Sequence, residues 1–220
     1  MQAIAGRVAA QRNLDTPPLF TRAGLKHALA NVILAATFFV AAVPSLSQFN
    51  TTIANAVWIV GAAIMGVFSI VRVAPRAAAI NVRTCAATVG MLLIPCLMRP
   101  SAPSAGAMAA EALTLEVIGV ILTQVARIYM GRSFGLLPAN RGIVSRGPFA
   151  VVRHPIYFGW MMLMLGYAMA FPSARNAILI VVAMPFLFWR IEQEESLLGA
   201  DSEYADYRAR VRFRLVPTII

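Results

Sequence analysis

The sequence predicts an all-α, polytopic integral membrane bundle of about six transmembrane helices, the last two a helical hairpin, with a cytosolic C-terminal helical segment. Three observations carry that expectation. The 220 residues are 60% hydrophobic and only 13% charged, with mean hydropathy +0.73; soluble domains hold about 25% charged residues. Long apolar runs are separated by short stretches rich in Pro, Arg and Ser. The basic residues also alternate in density from one connecting segment to the next, as membrane topology requires.

In chain order, residues 1–24 read as a cytosolic arm. Pro17-Pro18 breaks any helix there, which leaves room for a short interfacial helix over Ile4–Ala10. The arm shows no early apolar stretch ending in a small-residue cleavage site, so no cleaved signal peptide is expected. Residues 25–111 hold three membrane helices, at about Ala28–Ser47, Ile53–Val71 and Ala77–Met98, an accessory region and a possible route of acceptor entry. His27 reads as an interfacial residue, and Arg83 as one that snorkels to the interface. Cys85 and Cys96 lie about three turns apart on the third helix, too far for a disulfide within it, and read as small buried side chains. Residues 112–220 form the second region. Its helices are expected at about Ala112–Met130, Ile156–Phe171 and Ala177–Trp189, the last interrupted by Pro185 and continuing into Arg190–Leu198 beyond the membrane.

The 19 basic residues test this count. Four fall in the arm and none between the first two spans; three, one, five, one and five follow in the later segments, so that alternate segments hold 17 and 2. The positive-inside rule then puts both termini in the cytosol, in a bacterial inner membrane. A net charge of +10 can signal nucleic-acid binding, but here the arginines punctuate apolar runs. They serve orientation and anionic headgroups instead, and no nucleic-acid partner is expected. No cysteine or histidine spacing suggests a metal. The sequence carries no signal of oligomeric state.

Two polar concentrations interrupt the apolar pattern. Arg153 and His154 stand at the mouth of the fifth helix, with Pro155 at its first position, where a missing N–H costs nothing. A helix N-terminus carries partial positive charge and unpaired N–H groups, suited to an anionic ligand. Tyr157 adds a ring and hydroxyl, and Gly159 permits close approach. The second concentration follows the sixth helix, where Glu192, Glu194, Glu195, Asp201, Glu203 and Asp206 are six of the nine acidic residues. An antiparallel hairpin makes the two concentrations neighbours. On the fourth helix Glu116, Thr123, Gln124 and Arg127 lie along one face, which should turn towards protein or a cavity and away from lipid.

Gly147-Pro148-Phe149 followed by Arg153-His154-Pro155-Ile156-Tyr157-Phe158-Gly159 resembles the Arg-His-Pro-x-Tyr-x-Gly signature of the isoprenylcysteine carboxyl methyltransferase and phospholipid methyltransferase families. Glu194-Glu195-Ser196-Leu197-Leu198 is similar to their Glu-Glu-x-x-Leu element. Tyr204, Tyr207 and Val211 through Pro217 resemble the closing pattern, and Arg127, Gly131 and Phe134 an upstream stretch. The likeness covers about residues 115–218. It departs from the eukaryotic carboxyl methyltransferases between Leu198 and Tyr204, which is shorter here and lacks their Phe-Gly pair.

The resemblance implies S-adenosylmethionine as methyl donor at the cytosolic membrane face, and a lipidic or apolar acceptor bearing a carboxylate, amine or thiol. It implies catalytic roles for Arg153, His154 and Glu195, and a cofactor site from Gly147, His154, Tyr157, Gly159, Glu194, Glu195 and Leu198. The glutamates suit the donor's ammonium or ribose hydroxyls by charge-assisted bonds, and His154 and Tyr157 suit its carboxylate. Arg153 either contacts the donor or pairs with a glutamate to hold the hairpin. Backbone around Gly142–Gly147 is placed to act as a lid. Glu116, Gln124 and Arg127 are candidates for the acceptor side. Two other classes compete. Membrane sterol and enone reductases share a similar C-terminal half but use NADPH, whose 2′-phosphate the arginines suit. The third reading is a non-catalytic lipid-binding protein.

Overall fold

The computed structural model describes residues 21–46, 60, 63–64, 66–71, 73–75, 77–78, 81–99, 101–135 and 138–217. The expected interfacial helix and most of the second span lie outside them. Among the described residues, regular structure is almost wholly helical. Helix α1 spans Arg22–Leu46, and residues 66–70 are helical. A two-residue strand β1 (Ala77–Ala78) precedes α2 (Val82–Leu97) and α3 (Gly106–Met130). After a 3₁₀ turn at Gly131–Ser133 come β2 (Ala139–Asn140) and a second 3₁₀ turn, Gly147–Ala150. Helices α4 (Pro155–Ala170), α5 (Ala174–Leu198) and α6 (Ser202–Arg210) complete the order.

Helix boundaries follow from local chemistry. The third expected span begins later than Ala77: Ala77 and Ala78 pair antiparallel with Asn140 and Ala139, and Asn81 then caps α2 by accepting from the Thr84 N–H at 2.9 Å. Ser173 caps α5 by accepting from the Asn176 N–H at 3.2 Å. Pro185 does not interrupt α5, which continues as one helix of 25 residues. Cys85 is exposed on α2 rather than buried.

Two described helices, over Met108–Ser133 and Ala174–Leu198, are long and apolar enough to cross a membrane; α4 and two stretches of α1 and α2 are shorter apolar helices. Their outer surfaces are apolar: Val181 is 69% exposed, Ile178 61% and Leu93 55%. An exposed apolar surface of that extent suits lipid rather than water.

The packing pairs helices across the chain order. Helix α4 lies mainly on α3, and α5 mainly on α2, with little contact between α4 and α5 themselves. The α3–α4 seam is made by small residues. A Cβ on Gly119 would stand 2.6 Å from the Gly159 carbonyl oxygen, and one on Gly166 2.8 Å from that of Ala112. Backbones that approach so closely exclude any larger side chain, which is the usual basis of tight helix pairing in lipid. On the other side, Phe186 of α5 fills the space over Gly90 of α2. At one end of the bundle, buried Asn176 accepts from the Arg99 N–H and donates to the carbonyls of Arg99 and Phe171. The polar residues gather at the other end.

Candidate active site

The polar end is assembled from three pieces of chain. The turn before α4 supplies Arg153 and His154, the last turns of α5 supply Arg190, Glu194 and Glu195, and residues 211–215 run beside both. His154 is the N-cap, with non-helical backbone angles (φ −124°, ψ 58°), and Pro155 opens α4 at N1. Arg153 and His154 therefore meet the following strap through their backbones, their N–H groups donating to Phe213 and Arg214 carbonyls at 2.9 and 2.8 Å.

Adjacent positions on a helix point about 100° apart, and Glu194 and Glu195 consequently have different surroundings. Glu195 is buried and saturated with cationic partners. Its Oε1 accepts from Arg153 Nε at 2.9 Å and lies 3.3 Å from His154 Nε2, while Oε2 is 2.9 Å from Arg214 Nη2. Arg153 is engaged through a second nitrogen as well, its Nη1 donating to the carbonyls of Val211 at 2.8 Å and Arg212 at 2.7 Å. A carboxylate only accepts, so His154 donates through Nε2 to Glu195 and its Nδ1 is left towards Glu194 Oε2, 3.8 Å away.

Glu194 faces a cavity of about 210 Å³. It accepts a hydrogen bond from the Tyr157 hydroxyl, which in turn accepts from Arg190 Nε. Arg190 Nη2 lies 3.4 Å from Glu194, and its Nη1 donates to Thr88 on α2. This buried arginine thus joins three helices. The imidazole of His154 stacks on the Tyr157 ring, centroids 5.6 Å apart. The opposite wall comprises Ile143, Phe149, Leu198, Tyr204 and Tyr207. The Tyr207 hydroxyl donates to the Phe149 carbonyl at 2.7 Å, whereas the buried Tyr204 hydroxyl has no hydrogen-bond partner within the described residues. Burial, reinforced by the Glu195 carboxylate, pushes the Tyr204 phenol up to about 12, so it stays a neutral phenol. Burial raises Tyr207 too.

The remaining predicted residues divide. Leu198 and Arg127 line the cavity with His154, Tyr157, Glu194 and Arg153. Arg127 also sits 5.7 Å from the Phe134 ring centroid. Gly147 has φ +61°, and a Cβ there would meet the Tyr129 ring; it shapes the turn before Phe149. Gly159 faces Thr123 and Gly119 of α3 and serves the helix seam. Glu116 is half-buried against Gly166, and Gln124 is buried on α3; neither lines the cavity. Sequence reasoning missed Thr88, Arg190 and Arg214. Arg190 and Glu194 were detectable as an i,i+4 pair, but Thr88 and Arg214 depend on the fold.

Residues 112–200 match the isoprenylcysteine carboxyl methyltransferase (ICMT) family model. That region of the chain is ICMT-like. Protein-S-isoprenylcysteine O-methyltransferase B of Arabidopsis thaliana is 32% identical over 107 residues, or 45% of this chain and 54% of the relative. The chain therefore spans about half the length of the curated relative it matches. The ICMT-like region contains α3, α4, α5 and both glutamates; Tyr204, Tyr207 and the strap lie beyond it, and α1 and α2 before it.

Proposed function

We propose that this protein is an S-adenosylmethionine-dependent methyltransferase acting on a lipidic or apolar acceptor at the membrane. The observation that carries the reading is the wall of the cavity. Glu194, Tyr157 and His154 of the ICMT-like region line one cavity together with Tyr204, whose buried hydroxyl has no hydrogen-bond partner among the described residues. These residues suit the donor's groups. Glu194 offers a carboxylate to an ammonium and to a neighbouring positive sulfur, Tyr204 a hydrogen bond to a carboxylate or ribose oxygen, and Phe149, Ile143 and Leu198 apolar contact for a purine. When bound, S-adenosylmethionine supplies an electrophilic methyl group.

The chain's task is then alignment and exclusion of water. Arg190 fixes the Tyr157 hydroxyl and Glu194 in one orientation. Glu195 and Arg153 are engaged with each other and with the strap; Arg153 also lines the cavity, whereas Glu195 shapes the site from behind it. Met91 and Trp160 extend the lining from α2 and α4 towards the apolar bundle, the direction from which a hydrocarbon-bearing acceptor arrives. Six spans with both termini and the site in the cytosol fit the charge alternation and complete this reading.

The test is isothermal calorimetry of the purified protein in detergent. S-adenosylmethionine binding that is lost in Glu194→Ala but retained in Glu116→Ala supports the assignment. Absence of binding to the parent protein rejects it. Arg127 and Arg141 line the same cavity and favour the reductase alternative to that extent; a thermal shift with NADPH and none with S-adenosylmethionine would establish it instead.

A further inference from the structure

Residues 211–215 touch the two motif elements at every step. Val211 and Arg212 accept from Arg153 Nη1, and the carbonyls of Phe213 and Arg214 accept from the N–H groups of Arg153 and His154. The Arg214 side chain reaches Glu195. Leu215, 2% exposed, packs in the cluster that contains Tyr157, Leu187 and Ile191. Val211 packs with Tyr204, Tyr207 and Phe149 on the other side. The strap is thus inserted between the two clusters that form the cavity's walls.

The role of Arg214 follows from the geometry of one carboxylate. Glu195 Oε1 serves Arg153 and His154 together, and Oε2 is held by Arg214 Nη2 at 2.9 Å. The terminal torsion of a glutamate is broad and roughly two-fold, so contacts to one oxygen leave the plane of the group poorly fixed. An ion pair at the second oxygen restrains it. The Arg214 side chain is 40% exposed while that of Glu195 is 6% exposed, so Arg214 adds little burial of its own, and its effect is exerted through Glu195.

We infer that Arg214 is a positioning residue: by holding Glu195 Oε2, and with it the strap 211–215, it fixes the orientation of the His154 imidazole at the cavity. The inference rests on reading this cavity as the S-adenosylmethionine site, and it adds an element outside the ICMT-like region. A lysine at 214 retains a cation for Oε2 and preserves most of the function. An alanine does not.

Two measurements on the full-length protein in detergent test this. Affinity for S-adenosylmethionine falls about tenfold in Arg214→Ala, equivalent to about 1.4 kcal/mol. It returns to within about threefold of the parent in Arg214→Lys. The second measurement needs no ligand. The chain has two histidines, so the ring-nitrogen NMR spectrum, assigned with a His27→Gln variant, reports on His154 directly; its resonances move in Arg214→Ala and return in Arg214→Lys. Unchanged His154 resonances in Arg214→Ala, or an alanine defect that lysine leaves uncorrected, would overturn the proposal. If the parent protein binds no S-adenosylmethionine, the methyltransferase reading fails, and the imidazole spectra still decide the role of Arg214.

Discussion

The α3–α4 and α2–α5 seams solve the same packing problem with opposite chemistry. Between α3 and α4 the contact is backbone to backbone: Gly119 lies against the Gly159 carbonyl and the Leu163 N–H, with the Thr123 hydroxyl turned back onto the Gly119 carbonyl at 2.7 Å. Between α2 and α5 the contact is side chain to backbone and side chain to side chain. Phe186 covers Gly90, and Thr84 and Thr88 meet Gln193 and Arg190. The first seam has no room to adjust. The second has a deformable apolar part and a polar part that reaches the cavity. The comparison teaches that the rigid pair carries the helix from which His154 and Tyr157 begin, while the polar pair brings an outlying helix into the site through Arg190.

Arg190→Ala breaks the polar seam and has the largest expected effect. It leaves Glu194 and the Tyr157 hydroxyl without their buried cation, a loss of about 3–5 kcal/mol. Thermal unfolding in detergent followed by tryptophan fluorescence would show it; a melting temperature equal to the parent's would mean the α2–α5 seam does not depend on that bridge. Gly119→Ala comes next. Its Cβ would stand 2.6 Å and 2.7 Å from backbone atoms of α4, and separating two helices to admit a methyl costs about 1–3 kcal/mol. Gly90→Ala is the sharpest comparison with it. The crowding is equally close, 2.6 Å, but the obstacle is the Phe186 side chain rather than backbone, and a change of its χ1 can relieve it, so the loss should be smaller than at Gly119. Equal losses at Gly119 and Gly90 in the same unfolding assay would erase the distinction between the seams. Thr88→Ser should be the mildest of the four, within about 0.5 kcal/mol, because the acceptor oxygen for Arg190 is kept.

Much of the site was legible because its motifs are contiguous. Arg153-His154-Pro155 announces a helix mouth in any context, and paired glutamates after an apolar run announce a helix that leaves lipid. What contiguity cannot convey is direction. The motif resemblance assigns both Glu194 and Glu195 to the cofactor and only Glu195 to catalysis, yet one helical step puts Glu194 on the cavity wall and Glu195 against the strap. Gly159 looked like a ligand-facing glycine because it follows Tyr157 by two residues, and that spacing turns it towards α3 instead. Arg190 counts only among the basic residues of the C-terminal segment, since nothing in sequence shows Thr88 opposite it. The helical class was legible from hydropathy. The start of α2 was not, because Ala77 and Ala78 at the head of the expected span suit a helix or a strand, and their pairing with residues 139–140 decides the matter.

The strap also imposes an order of events. Residues 211–215 follow α6, so a nascent chain that has emerged through the paired glutamates has its motifs but not yet the carbonyls that receive the Arg153 guanidinium. Until the strap docks, that arginine has only the carboxylate of Glu195, which it shares with His154, and the walls around Tyr157 and Tyr204 lack Leu215 and Val211 between them. Completion of the cavity walls is therefore a late step, possible only after the motif-bearing helices have been made.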